Sequence, residues 1–406
     1  MTRRRIRRRL TAAVATAALL LATGGCAGSS LNGDGEKGAG GPIRIGLMWP
    51  ESGILKTVGD DFAAGWKLYL DTHGGKLGGH EVKITLVDEG DGKQAAQTGI
   101  KKLVEQDHVD VVVGTISSDA VAAVYPVITE KKIPYVATGG RPTTLKDLTY
   151  TWHTSWQNQD AGQAIADYIR TTVKGPVYAI GPDYKGGWDQ IAGFVDAYKA
   201  GGGKLANPDD KAMFAPYPDT TNFLPYLNAV QATDAKAVFA FFGGKNAIDF
   251  VKQYAQSGLQ GKVPLYACGF LTEGAVLKAQ AGAADGIYSS LNYAPDLDNP
   301  ANRTFATEFQ KAYSTATDPG IPDLYNVTAY DAALLLDQAI AAAGANPNSA
   351  SINAAIGKLG TIPSPRGDWR FGTDHSPIQP WYLRQVRTDG RGRANVVVQP
   401  LTTLGK

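Results

Sequence analysis

The sequence predicts an α/β protein of two Rossmann-like lobes with parallel-type sheets, and two observations lead there. From Ile43 onward, short β-branched or apolar runs alternate with segments of helical apolar spacing, the pattern of parallel βαβ units. The rhythm pauses near Tyr150 and restarts at Val177, so a chain of 406 residues carries two successive sheets. Right-handed crossovers bring both sets of loops to the carboxyl ends of the strands, which makes a cleft between two sets of strand tips.

In the first run, Ile43 to Leu47 reads as a strand and Asp60 to Asp71 as a helix with Phe62, Trp66, Leu68 and Leu70 as its apolar residues. Val82 to Val87 is the next strand, and Lys93 to Gln106 a helix with Ala96, Ile100, Leu103 and Val104 at helical spacing. Val111-Val112-Val113-Gly114 is an unbroken apolar run, the mark of a buried central strand, and Ser117 and Ser118 follow its carboxyl end. Ligands of open α/β sheets sit at such ends, where hydroxyls and free backbone N–H groups hold an anionic head. Asp119 is expected to cap the helix from Ala120 to Thr129, whose positive end points at the same place. Tyr135 to Ala137 is a fourth strand and ends in Thr138-Gly139-Gly140, a second polar, backbone-rich tip.

After an extended Tyr150 to Ser155 and a helix from Asp160 to Thr172, the second run begins. Its strands are Val177 to Ile180, Met213 to Phe214, Ala237 to Phe242 and Leu265 to Cys268; its helices are Asp189 to Lys199, Asn222 to Ala232 and Asn246 to Ser257. The last third is less regular. Ile287 to Tyr293 is extended, Asn302 to Tyr313, Leu324 to Ala343 and Ser351 to Leu359 are helical, and Asp368 to Phe371, Tyr382 to Val386 and Asn395 to Val398 are short strands.

The first forty residues belong to targeting. Six Arg lie within Met1 to Arg9, an apolar run of thirteen residues spans Leu10 to Ala22, and Gly24-Gly25-Cys26 follows, which is the layout of an export signal too short to span a bilayer. Leu21-Ala22-Thr23-Gly24-Gly25-Cys26 resembles a bacterial lipobox with Thr23 in place of the usual Leu or Val, so residues 1–25 read as the signal and Cys26 as the lipidated N-terminus. Residues 26–42, rich in Gly and Ser, then form a flexible tether. Without the six signal Arg, 34 of the 40 basic residues remain against 38 acidic ones, which removes the case for nucleic-acid binding. With Cys26 lipidated, Cys268 has no disulfide partner.

An ordered set of segments carries a resemblance to a known family. It runs from Ile43-Arg44-Ile45-Gly46-Leu47 into Pro50-Glu51-Ser52-Gly53, then through Val58-Gly59-Asp60, Gly74-Gly75-Lys76-Leu77-Gly78-Gly79, Val111 to Ser118, Ile133-Pro134, Pro182-Asp183-Tyr184 and Phe242-Gly243-Gly244. The chain is similar to type I periplasmic solute-binding proteins, the branched-chain amino acid binding family of ABC importers. Phe241 to Gly244, Phe250 to Tyr254, Gly269-Phe270-Leu271-Thr272, Tyr293, Asn299 to Asn302 and Ser364-Pro365-Arg366-Gly367 resemble its aromatic-acid branch. The resemblance implies crossings near Thr154, Leu291 and Ser364, with lobe 1 at 43–154 plus 292–364 and lobe 2 at 155–291 plus 365–406.

It also implies where the ligand lies. The carboxylate would meet Ser117 and Ser118, and the fourth strand's tip maps onto Ala137, Thr138, Gly139, Gly140 and Arg141. Two departures set the ligand class: Arg141 stands where the family has a hydroxyl that helps hold the α-amino group, and Phe270 stands where the second lobe supplies an acid. An ammonium buried without a counter-charge is costly, so an aromatic carboxylate is favoured, with Phe270 packing on its body and Arg141 adding a second carboxylate contact. Glu273 restores the acid if that loop is shifted, and a branched-chain or other hydrophobic amino acid is the alternative ligand. Trp49 is a cleft wall or lobe core. Tyr184 is an aromatic lid, with Gly186 at the family's tighter aromatic position and Trp188 as its replacement. Lys245 approaches a carboxylate or is an exposed helix start, and Tyr293 lies near a crossing.

No Gly-x-Ser-x-Gly elbow, Walker loop or Cys/His metal spacing is present, and the five His are scattered, so neither an enzyme nor a cofactor is expected. Asp88-Glu89-Gly90-Asp91-Gly92 lacks the closing Glu of a calcium loop. A sensor module of the same fold is the second alternative, and it should carry an output segment that Val398 to Lys406 does not resemble. The expected partners are a small carboxylate, an ABC permease and, through the lipid, the outer face of a bacterial cell membrane, with the protein acting as a monomer.

Overall fold

The computed structural model describes residues 41–390 and 392–405; the signal segment and Cys26 lie outside the described residues. The first run contains β1 (Ile43–Trp49), α1 (Lys56–Thr72), β2 (Lys76–Leu77), β3 (His80–Asp88), α2 (Lys93–Lys101), β4 (Val111–Gly114), α3 (Ser118–Lys131), β5 (Tyr135–Ala137), β6 (Gly140–Arg141) and β7 (Thr151–His153). Its six-stranded sheet has the order β2-β3-β1-β4-β5-β7, parallel except for β2. The strand order reverses between β1 and β4. A crevice opens at such a switch point, just past the carboxyl ends of the strands.

The chain then passes through β8 (Trp156–Gln157), which pairs with β6, into α4 (Asp160–Val173), β9 (Val177–Asp183), α5 (Lys185–Ala200), β10 (Met213–Pro216), α6 (Leu224–Gln231), β11 (Ala237–Ala240), α7 (Gly244–Gln256), β12 (Leu265–Cys268), α8 (Gly274–Gln280) and β13 (Tyr288–Leu291). Here β9 lies between β10 and β11, so the second sheet has its own switch point at β9 and β11. Next come α9 (Pro300–Tyr313), α10 (Leu324–Ala342) and α11 (Ser349–Ile356), and α10 packs along α1 of the first lobe. Gly65 makes that approach possible, because a Cβ there would lie 2.0 Å from the Asn326 carbonyl oxygen. The Tyr69 hydroxyl fixes the register by donating to Asp337 at 2.8 Å. Finally β14 (Arg370–Phe371), β15 (Pro377–Asp389) and β16 (Gly392–Leu404) return to the second sheet, β15 pairing antiparallel with β13.

The passages between lobes are tied to one another by buried polar groups. The Ser155 carbonyl accepts from Gln379 Nε2 at 2.8 Å and from Arg366 at 3.3 Å, Gln379 accepts from Asn292 at 2.6 Å, and Arg366 pairs with Asp331 of α10 at 3.0 Å. Ser155, Asn292, Arg366 and Gln379 thereby form one buried polar cluster with Asp331.

Three sequence expectations need correction. The helix expected over 93–106 is α-helical to Lys101 and widens into a π turn at Lys102–Gln106. Ser117, not Asp119, caps α3, its Oγ accepting from Ala120 N–H at 3.1 Å. The separate strands expected near the C-terminus are one long hairpin, β15 with β16, whose alternation is broken at Trp381/Tyr382 and Leu383/Arg384 and which carries Pro380 and Pro400. Such breaks and prolines hide a strand from periodicity.

Gly114 closes β4 with φ +116°, and a Cβ there would stand 1.8 Å from the Met48 carbonyl oxygen of β1. Gly114→Ala therefore combines backbone strain with a clash between the two central strands. It is expected to cost at least about 2 kcal/mol, read as a lower midpoint in urea unfolding.

Candidate ligand site between the lobes

The tips of β4 in the first lobe and of β9 and β11 in the second enclose a cavity. The first lobe supplies Ile116, Ser117, Ser118 and Gly140 from the ends of β4 and β5. A helix leaves its first amides without intrahelical acceptors, and the uses made of them here are specific. Ile116 and Ser117 N–H donate to the two oxygens of Glu89, each at 2.7 Å, and Ala120 N–H is taken by Ser117 Oγ. Among the described residues this leaves the amides of Ser118 and Asp119, at the positive end of α3, free for an anion. Ser118 Oγ accepts from Asn158 Nδ2 at 2.9 Å and keeps its proton to donate, with Gly140 O at a long 3.5 Å.

Glu89 is buried behind this wall. Burial pushes its carboxyl up to about 8, aided by Asp88 and Asp91 and opposed by the N–H groups of Ser117 and Ile116. Trp156 packs beside the same end of the cavity: its Nε1 lies 3.0 Å from where a Gly140 Cβ would be, and among the described residues that buried N–H has no partner.

The body of the cavity is aromatic. Phe270, in the turn after β12, stands with its ring 4.4 Å from Trp156 and at right angles to Phe241, 5.9 Å away. Tyr325, in the first turn of α10, lies at 6.4 Å from Phe270. Tyr184 caps the tip of β9 and stacks on Tyr217 at 4.3 Å. Burial holds the Tyr184 hydroxyl above its ordinary pKa. Around the rim the lobes touch directly: Lys245 N–H donates to the Ile54 carbonyl at 3.0 Å, and Asp189 of α5 accepts from Thr143 N–H at 3.2 Å and from Asn158.

Of the sequence candidates, Ser117, Ser118, Gly140, Tyr184 and Phe270 line the cavity together. Ala137, Thr138 and Gly139 do not; they are wall, Thr138 N–H donating to Gly114 O at 3.2 Å and Gly139 O accepting from Ser155. Arg141 must be corrected, because its guanidinium is paired with Asp374 at 3.0 Å outside the cavity. Trp49 is lobe core. Trp188 is 46% exposed and donates to Asp183. Lys245 points outward to Asp249, and Tyr293 is buried with its hydroxyl on Asn302 at 2.9 Å. Glu273, the alternative acid, is neutralised by Arg384 at 2.9 Å away from the ligand space.

A model of the periplasmic binding protein family matches residues 42–391. The chain belongs to that family. It is a solute-binding protein of ABC transporters with the type I fold, and the family consists of extracytoplasmic binding proteins, not enzymes. Among the described residues no helix is long and apolar enough to cross a membrane. This periplasmic binding protein is 28% identical over 352 residues to the Leu/Ile/Val-binding protein homolog 6 of Brucella melitensis, covering 85% of this chain and 87% of that one. It is 29% identical to an R. palustris ABC solute-binding protein solved with benzoate, at TM-score 0.80 over 90% of this chain and 98% of that one. A second R. palustris protein, solved with 4-hydroxybenzoate, is 25% identical at TM-score 0.80 over 89% and 98%.

Sequence reasoning missed several lining residues of this periplasmic binding protein. Trp156 enters from the passage between lobes, Tyr325 from a helix that follows the second passage, and Gln190 from one turn inside α5, four residues after Gly186. The i to i+4 spacing of Gly186 and Gln190 was the available signal for the last.

Proposed function

We propose that this protein captures an aromatic carboxylic acid between its lobes and delivers it to an ABC permease. The observation that carries the reading is the lining itself: five aromatic rings, neutral hydrogen-bond donors and no charged side chain. A carboxylate is served by the α3 amides, Ser117, Ser118 and the Trp156 N–H. An ammonium would be buried without an acid to answer it. The R. palustris relatives solved with benzoate and 4-hydroxybenzoate support the same reading.

Capture proceeds by population shift: the open lobes sample closure, and a ligand held at α3 stabilises the closed form by reaching the second lobe. We assign lobe 1 to 43–154 plus 292–364 and lobe 2 to 155–291 plus 365–406. The protein acts as a monomer, exported by residues 1–25 and held through lipidated Cys26 and the tether of residues 26–42. The Brucella relatives' names favour a second reading, a branched-chain amino acid.

A thermal-shift panel of amino acids, benzoates and cinnamates, followed by calorimetry, separates the two. Benzoates are expected to raise the melting temperature and leucine to leave it unchanged. Tight leucine binding without benzoate binding reverses the conclusion.

A further inference from the structure

Gln190 lines the cavity from α5, is 2% exposed, and its Oε1 has no hydrogen-bond partner among the described residues. Its neighbours do not supply one. The adjacent Asp189 carboxylate can only accept, and among the described residues the Ser118 hydroxyl directs its proton at Gly140 O, at a long 3.5 Å, and makes no bond to Gln190. A buried amide oxygen without a donor is destabilising, so a ligand that brings a donor to it gains more than the same ligand without one. The carboxylate end of the ligand cannot fill this role, since it only accepts. An ammonium can donate, but a neutral amide leaves its charge unanswered. The donor must therefore be an uncharged group elsewhere on the ligand, and a ring hydroxyl is the simplest that an aromatic acid carries.

We propose that the ligand is a ring-hydroxylated aromatic carboxylic acid and that Gln190 Oε1 accepts its hydroxyl. This rests on the aromatic-acid reading. The first lobe binds the carboxylate and the second lobe reads the hydroxyl, so Gln190 rewards closure around hydroxylated acids above bare benzoate.

Calorimetry on the wild type and on Gln190→Met, with benzoate, 3-hydroxybenzoate, 4-hydroxybenzoate and 4-methoxybenzoate, tests it. In the wild type at least one hydroxybenzoate is expected to bind about tenfold or more tighter than benzoate, and the methoxy analogue, which cannot donate, to show no such gain. Gln190→Met should shrink the hydroxybenzoate-to-benzoate ratio to within about threefold. Gln190→Leu, with melting temperature checked, serves if the Met variant misfolds. Equal binding of benzoate and both hydroxybenzoates, or an equal loss for all ligands in the variants, overturns the role of Gln190 while leaving the aromatic-acid reading standing. If no aromatic acid binds the wild type, both fall.

Discussion

Phe270→Asp is expected to weaken binding of aromatic carboxylates by about 100-fold or more. Phe270 is buried among Trp156, Phe241 and Tyr325, and the cavity lining offers no cation to pair with a new carboxylate. The variant therefore places an unpaired charge in an apolar wall and a second negative charge beside an anionic ligand, each costing on the order of several kcal/mol. Phe270→Leu keeps the site apolar and loses only ring-on-ring contact, about 0.5–1.5 kcal/mol, or roughly threefold to tenfold in affinity. The same acid gives an amino acid ammonium its missing partner, so Phe270→Asp should also bind leucine measurably where the wild type does not. Calorimetry with benzoate and leucine on the three proteins reads all of this. Benzoate affinity within threefold of wild type in Phe270→Asp would remove Phe270 from the ligand's surroundings.

The residues legible in the sequence share one property: they directly follow strands. Ser117 and Ser118 after β4 and Gly140 after β5 are legible as polar carboxyl strand ends, whereas Tyr184 after β9 and Phe270 after β12 are legible only through the family resemblance. The fold class followed from the same alternation. What escaped depends on distant chain. Arg141 looked like a ligand contact because nothing local reveals that Asp374, 233 residues away, holds it. Glu273 likewise meets Arg384 only in three dimensions. Trp156 and Tyr325 reach the cavity because the chain changes lobes, and the spacing of apolar residues carries no record of such a passage. Trp49 and Tyr293 fail for the opposite reason: large aromatics near a cleft are as useful to a core as to a ligand, and these two are core.

Affinity for an aromatic carboxylate is expected to be level up to about pH 8 and to fall about tenfold per unit above it, with a proton taken up on binding. Glu89 is the cause. Its carboxyl shares the backbone of Ile116 and Ser117 with the anion end of the cavity, and burial already pushes it up to about 8. The titratable groups facing it are Asp88 and Asp91 of its own loop, Tyr135 of β5, and Tyr184 and Tyr217 of the second lobe, none of which is a cation. A ligand carboxylate bound at the start of α3 is a like charge and raises Glu89 further. The favourable state is thus the protonated one: the full affinity is present below the free protein's value and is lost as pH rises toward the bound value. Titration calorimetry at pH 8.5 in buffers of different ionisation heat should register that uptake in the wild type. Glu89→Gln should register none, with a level pH profile. Its amide accepts with one end only, so one backbone N–H is left unanswered and stability drops by about 1–3 kcal/mol. A wild-type affinity that does not change between pH 7 and 9 would place the ligand's charge away from Ser117 and the α3 terminus, because no carboxylate held there is insulated from Glu89 by anything but two peptide groups.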